Sequence, residues 1–349
     1  MSTTIDTLAR PPSEGQFHAA RRWSRRFELS HPVSAMVVRR LITGILTLFL
    51  VTIVIFAATA VLPGNAAQAV LGRNATPDRV KILEKQLHLD RPAVVQYWTW
   101  ISGVFHGQFG VSLANGQAVS SIVKGRIINS AVLVLLAGVI GSVLGVGLGV
   151  LAAARRDGWL DNILSVVSLA VTALPEYVVA MAVVMLFASL VFHVLPAVSV
   201  IPPGATPWSQ PSAIVLPVMA LVIVIVPYIF RMMRGAMVEA LESDYVEMAR
   251  LKGSPRWRQV LVHALPNSIA PTIQVIGLSI LYLAGGIVVV EYVFAFPGVG
   301  AGLVDAVSAR DIPTIQLIVL VLAAFYVFMN IATDVIALVA TPRRRLPRS

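Results

Sequence analysis

Three carboxylates stand within or at the edge of long apolar runs: Glu176 directly after Pro175, Glu291, and Asp334 one turn beyond Asn330. An ionised group at membrane depth has to face a partner, a watery cavity or a proton route. Glu176 lies mid-run. Either it lines a pathway or binds a substrate amine, or it is paired or protonated inside a bundle. Glu291, near the end of its run, can reach water. Asp334 is expected to pair with a group on the cytoplasmic side. Together the three could also relay protons in an ion-coupled carrier. Other chemistries fall away. There is no cysteine, which excludes disulfides, thiolate metal sites and cysteine nucleophiles. His193 and His263 stand apart from other ligand types, so no metal site is expected. A chain that hydrolyses ATP needs a phosphate-cradling loop ending in Lys followed by Ser or Thr. The four lysines, Lys81, Lys85, Lys124 and Lys252, are followed by Ile82, Gln86, Gly125 and Gly253. Gly298, Gly300 and Gly302 resemble part of a dinucleotide fingerprint, but the spacing is wrong. No catalytic residue and no bound cofactor are therefore expected on this chain.

The elements that position these residues follow from composition. The chain has 349 residues, 57% of them hydrophobic and 13% charged, with a mean hydropathy of +0.82. An ordinary globular domain has about 45–50% and 25%. A soluble enzyme of this length could not hide so much apolar surface, and disorder is excluded for most of the chain. Six apolar stretches are long enough to span a bilayer as helices: 41–62, 128–154, 163–192, 213–230, 270–294 and 314–340. They far exceed the roughly ten residues of a barrel strand. The third contains Pro175 and is expected to kink or tilt. The fourth is short and holds Pro217 and Pro227. Gly141, Gly145 and Gly149 form a small-residue stripe on the second, which lets another helix pack closely.

Basic residues give the orientation. Lys and Arg exceed Asp and Glu by ten. Nineteen of the 27 basic residues fall in 1–40, 155–162, 231–269 and the tail after Thr341, and eight on the other side. Both termini are thereby expected in the cytoplasm, with 63–127 outside. The implied division is a basic extension (1–40), a first span (41–62), an external region with short helices (63–127), a core (125–340) and a basic tail (341–349). Arg21 to Arg26 either lie near anionic lipid headgroups or belong to an extension without a role. In the external region, Thr76 and Pro77 suit a helix start, with Val80, Leu83 and Leu87 on one face. That helix either meets an external partner or packs over the mouth of the bundle. Trp98 and Trp100 suit the interface.

The stretch 236–269 reads as helix, sharp stop, helix. Ala240, Leu241, Tyr245, Val246, Met248, Ala249 and Leu251 carry the first helix. Gly253 can take positive φ at its end. Ser254 is expected to cap the next helix, Pro255 to fill its first turn, and Pro266 to interrupt it. Such a short, angled element suits a lever gripped by a partner, or else a hairpin that only orients the fifth span.

The run Glu247-Met248-Ala249-Arg250-Leu251-Lys252-Gly253, followed by Leu265-Pro266, resembles the EAA motif of ABC importer permeases. Met248 replaces the middle Ala, and His263 stands where Ile is usual. Three further stretches extend the resemblance over nearly all of 38–343. They are Leu62-Pro63-Gly64-Asn65; Leu87 to Pro92 with Gln96-Tyr97 and His106 to Ser112; and Glu291 to Gly300 with Arg310-Asp311-Ile312-Pro313. The chain is similar to the first permease subunit of dipeptide, oligopeptide and nickel importers (the DppB/OppB type).

The resemblance implies an all-α integral membrane protein with six spans, its five-span core that of a type I ABC importer. It implies a cell-membrane location and four kinds of partner: lipid, a second homologous permease, two cytoplasmic ATP-binding subunits and an extracytoplasmic substrate-binding protein. Nucleic acid is not among them. Glu247, Ala249, Gly253, Ser254, Pro255, Leu265 and Pro266 would form the ATPase-coupling loop, with Glu247 at the contact and Gly253 at the bend. Alternating access would follow, ATP-Mg being used by the partners. Peptide is the expected substrate and nickel or another small solute the alternative. An ion-coupled secondary transporter or a non-transporting scaffold would belong to a different class.

Overall fold

The computed structural model describes residues 32–61, 76–86, 91–202 and 204–340. The extension before 32, the Leu62–Asn65 motif, Leu87 to Asp90 and the tail from 341 lie outside the described residues. Among the described residues, eleven helices follow in order: α1 (Pro32–Val61), α2 (Pro77–Gln86), α3 (Ala93–Phe105), α4 (Val119–Ala154), α5 (Trp159–Thr172), α6 (Glu176–Val184), α7 (Pro211–Leu241), α8 (Asp244–Leu251), α9 (Arg256–Val293), α10 (Val299–Ser308) and α11 (Ile312–Ala340). The described residues contain no strand, only an isolated bridge between Val111 and Ala118. Helices α1, α4, α7, α9 and α11 are long and apolar enough to cross a membrane, and α5 with α6 makes a sixth span if the pair is counted as one.

Helix α7 is the hub. Ile225, Ile229, Met233 and Met237 are all fully buried along it. Its closest neighbour is α4, whose Gly141, Gly145 and Gly149 face this row. A Cβ at Gly145 would stand 2.7 Å from Ile229 Cβ, and one at Gly149 2.7 Å from Met233 Cβ. Real Cβ contacts do not come that close, so only hydrogens let the two backbones approach. The stripe read from sequence lies at this close contact. Helix α1 lies against α11, with Gly44 beneath Val327 and Gln316 donating to the Thr59 hydroxyl. It also holds α3: Thr52 and Tyr97 share a hydrogen bond of 2.9 Å, and Phe56 meets Tyr97 edge-on. In α2, Pro77 is the first residue and Val80 is buried.

Two spans need comment. The stretch 163–192 bends at Pro175 as expected, but so sharply that it forms two helices, α5 and α6, which meet at an angle of 107°. Pro175 has no N–H to continue the ladder, and it disfavours helical φ/ψ at Leu174. Pro175 itself is extended (ψ 147°), and the chain restarts at Glu176 in a new direction. The stretch 213–230 is too short: α7 has 31 residues and contains both Pro217 and Pro227. Arg231 and Arg234 therefore sit on a helix rather than in a loop.

Candidate functional site

At the basic end of the bundle α7 stops at Leu241, and Glu242-Ser243 turns the chain into α8. Helix α8 closes with Gly253 at φ +78°. The Gly253 N–H reaches the Arg250 carbonyl at 2.9 Å, and the Ser254 N–H reaches the Ala249 carbonyl at 3.0 Å. This paired closure satisfies two orphan carbonyls of the helix end and requires the left-handed conformation at Gly253. Ser254 does not cap the next helix: its buried hydroxyl has no partner among the described residues. Its carbonyl instead accepts Gln259 Nε2 at 2.7 Å, and Pro255 occupies the cap position without a side-chain bond. Pro266 does not interrupt α9. A π turn over Gln259–Ala264 precedes it and opens the space its ring needs.

This arm is braced from behind. Arg234 on α7 grips the buried Asp161 at the start of α5 through Nε (2.5 Å) and Nη2 (2.6 Å), while the Asp157 N–H adds a third bond. Arg156 pairs with Glu242, and Arg256 donates to the Ala154 carbonyl at 2.7 Å. Between brace and arm lies a cavity of about 630 Å³, lined among others by Arg156, Glu242, Glu247, Arg250 and Arg256. Glu247 is exposed, Ala249 and Leu265 are half-buried, and Pro255 and Pro266 are exposed. The outer surface is apolar where a solvated loop would be polar. Tyr245, Met248, Leu251, Trp257, Leu261 and Val262 are all exposed, Leu251 by 76%. Such a patch on a charged, capped element marks an interaction surface.

The three intramembrane carboxylates have three different fates. Glu291 does not reach water; it is completely buried. It accepts hydrogen bonds from the Ser130 hydroxyl (2.5 Å) and from the N–H groups of Gly300 (2.7 Å) and Ala301 (3.1 Å), which belong to the first turn of α10. The carboxylate occupies the space a Cβ at Gly298 would need. Asn129 and Arg126 on α4 bind the Pro297 and Gly298 carbonyls nearby. Asp334 pairs with Arg40 on α1 at 2.7 Å, as expected of a residue at that end. Glu176 opens α6. Its carboxylate lies directly against Gly286 of α9 and interacts with the Tyr282 hydroxyl.

Sequence reasoning missed two arrangements. The Asp161–Arg234 brace carried no local signal, because its partners are separated by two spans. The motifs around Ser112 and Asp311 turn out to be one structure. Asp311 accepts the Ser112 hydroxyl, the Leu113 N–H (3.0 Å) and the Thr314 hydroxyl (2.7 Å).

With this geometry in view, the chain can be compared with known proteins. Residues 145–346 match the family described as the binding-protein-dependent transport system inner membrane component, and residues 33–133 match that system's N-terminal membrane component. A Brucella abortus (strain 2308) protein provisionally named a peptide transport system permease is 33% identical over 313 residues, covering 90% of this chain and 99% of the relative. A probable peptide ABC transporter permease of Sinorhizobium fredii is 33% identical over 88% of this chain and 98% of its own length. A glutathione transport system permease of Escherichia coli (strain K12) is 31% identical, over 88% and 98%.

Proposed function

This chain belongs to the binding-protein-dependent transport system inner membrane components, and on that premise we propose that it forms one half of a peptide importer's pathway. It is a multi-pass, non-catalytic permease component of the ABC type. The second half would be a homologous permease. Two cytoplasmic ATP-binding subunits would grip the arm between Asp244 and Pro266, and a substrate-binding protein would dock on the opposite end. In this reading both termini face the cytoplasm, as the basic end of the bundle suggests.

The observation that carries the proposal is the arm itself: a closed, braced helix pair with large apolar side chains turned outward. When ATP draws the two ATP-binding subunits together, the paired arms move with them. Helix α7 transmits the motion as a rigid rod, because α4 is locked to it through the glycine stripe. The bundle switches between inward-open and outward-open, and substrate is released where its affinity falls. Peptide is the substrate in this reading because the relatives named for a substrate carry peptides or glutathione, itself a tripeptide.

The cysteine-free chain makes the test direct. A single cysteine at Leu251 is expected to cross-link to the ATP-binding subunit in the assembled complex, and proteoliposomes are expected to take up peptide only with ATP. Uptake driven by a proton gradient alone, or an arm that touches no ATPase, would refute the proposal.

A further inference from the structure

Glu176 differs from Asp161, Glu291, Asp311 and Asp334. Asp161 is paired with Arg234, Asp334 with Arg40, and Glu291 and Asp311 are fully hydrogen-bonded. Among the described residues no Lys, Arg or His pairs with Glu176. A lone carboxylate at membrane depth is costly, and a cation that passes beside it offsets that cost. Part of its stabilisation is local, since it sits in the first turn of α6, where the helix dipole favours an anion. A passing cation would add to it from the side the carboxylate faces.

That side is open and aromatic. The Tyr282 hydroxyl lies near both Glu176 and Tyr228, and the two rings lie 5.9 Å apart. Tyr282 is 46% exposed, and Gly285 beside it has nothing within 4 Å of its missing Cβ. Gly286 leaves the carboxylate room to lie flat against α9. The Arg231 guanidinium stacks over Tyr228 at 5.6 Å instead of reaching Glu176. Tyr228 is six residues, about 9 Å, inward of Arg234, where the polar edge of α7 begins. The row Glu176, Tyr282, Tyr228, Arg231 thus descends from mid-membrane toward the basic end.

We propose that Glu176, with Tyr282 and Tyr228, forms a transit site for the protonated amino group of the substrate. The chemistry matches in three respects. An ammonium supplies the missing charge, it donates charge-assisted hydrogen bonds to the carboxylate, and the tyrosine faces attract it through their π systems. Arg231, one step lower, offers the opposite charge to the substrate's carboxylate as the peptide passes. The site rests on the importer reading above, and its test is arranged to separate the two.

The complete importer complex is solubilised without its binding protein and labelled at millimolar concentration by a trialanine carrying a diazirine near its carboxyl end. Free trialanine and its des-amino analogue, propionyl-Ala-Ala, compete for labelling. In the wild type, trialanine is expected to compete at concentrations at least about tenfold lower, the scale of one hydrogen bond to a charged group. Glu176→Gln is expected to abolish that difference, and Glu176→Asp, which keeps the charge, to preserve it. Absence of wild-type labelling, equal competition by both peptides, an unchanged difference in Glu176→Gln, or a complex that disassembles on that substitution overturns the site. Failure of the wild-type complex to take up trialanine with ATP overturns the importer reading itself, and is seen separately in proteoliposomes.

Discussion

Glu291→Ala tests whether the buried knot at the end of α9 holds α10 in place. Two backbone N–H groups, those of Gly300 and Ala301, terminate on this carboxylate, and so does the Ser130 hydroxyl, which itself accepts the Val299 N–H at 2.8 Å. Glu291 is 0% exposed, so no solvent replaces what the substitution removes. Each stranded buried donor costs about 1–3 kcal/mol, giving roughly 2–6 kcal/mol for the two N–H groups. Glu291→Gln keeps the volume and one acceptor oxygen. The amide oxygen can serve the two N–H groups while the NH2 turns to Ser130, so its loss should be only about 1–2 kcal/mol. Heat or detergent unfolding of the purified chain measures both variants. In addition, cysteines placed at Asn129 and Pro297 report the local geometry, since Asn129 Nδ2 binds the Pro297 carbonyl at 2.8 Å. Cross-linking of that pair should fall sharply in the Ala variant and persist in Gln. Equal stability of Ala and Gln, or an unaltered cross-link in Ala, would refute the argument that this carboxylate is the acceptor for α10.

Other substitutions follow from the same packing logic. Gly149→Leu should force α4 from Met233 and destabilise by about 1–3 kcal/mol or more, seen as a lowered unfolding midpoint or poor membrane yield. Gly253→Val places a β-branched residue at φ +78° and should strain the corner by about 1–2 kcal/mol, lowering ATPase attachment on co-purification while leaving bundle stability nearly intact. Asp161→Ala strands a guanidinium beneath the arm and should cost roughly 3–5 kcal/mol, whereas the pair replacement Asp161→Leu with Arg234→Met should recover most of it in the same unfolding assay. Arg40→Ala breaks a pair whose side chains are 52% and 33% exposed, so a change below about 1 kcal/mol is expected.

What was legible in the sequence was local. Unbroken apolar runs announced α1, α4, α7, α9 and α11, because a span needs only length and hydropathy. The Gly253 corner was readable because only a residue without Cβ takes φ +78° easily, and the glycine stripe because its four-residue period is that of a helix face. Ser254 misled for a related reason. Its type and position fit a cap, yet the preceding closure consumes its N–H and Gln259 takes its carbonyl, leaving the hydroxyl aside. Glu291 looked like a residue near water because spacing gives only depth along a helix. The loop that folds back to bury it belongs to tertiary structure. The union of Ser112 with Asp311 was out of reach for the same reason, being a contact between segments far apart in the chain. Pro175 predicted a bend, but the angle of 107° depends on what α5 and α6 each pack against.

The bidentate grip of Arg234 on Asp161 does more than steady the arm. It ties the foot of α5 to α7, and the head of α5 is the corner from which Glu176 projects. Helix α5 is 14 residues long, so this crank spans about 21 Å. In the proposed importer a tilt imposed on α7 from the nucleotide side would swing that crank and reposition the carboxylate against the tyrosines, so that fuel consumption and the substrate's resting place would share one mechanical axle.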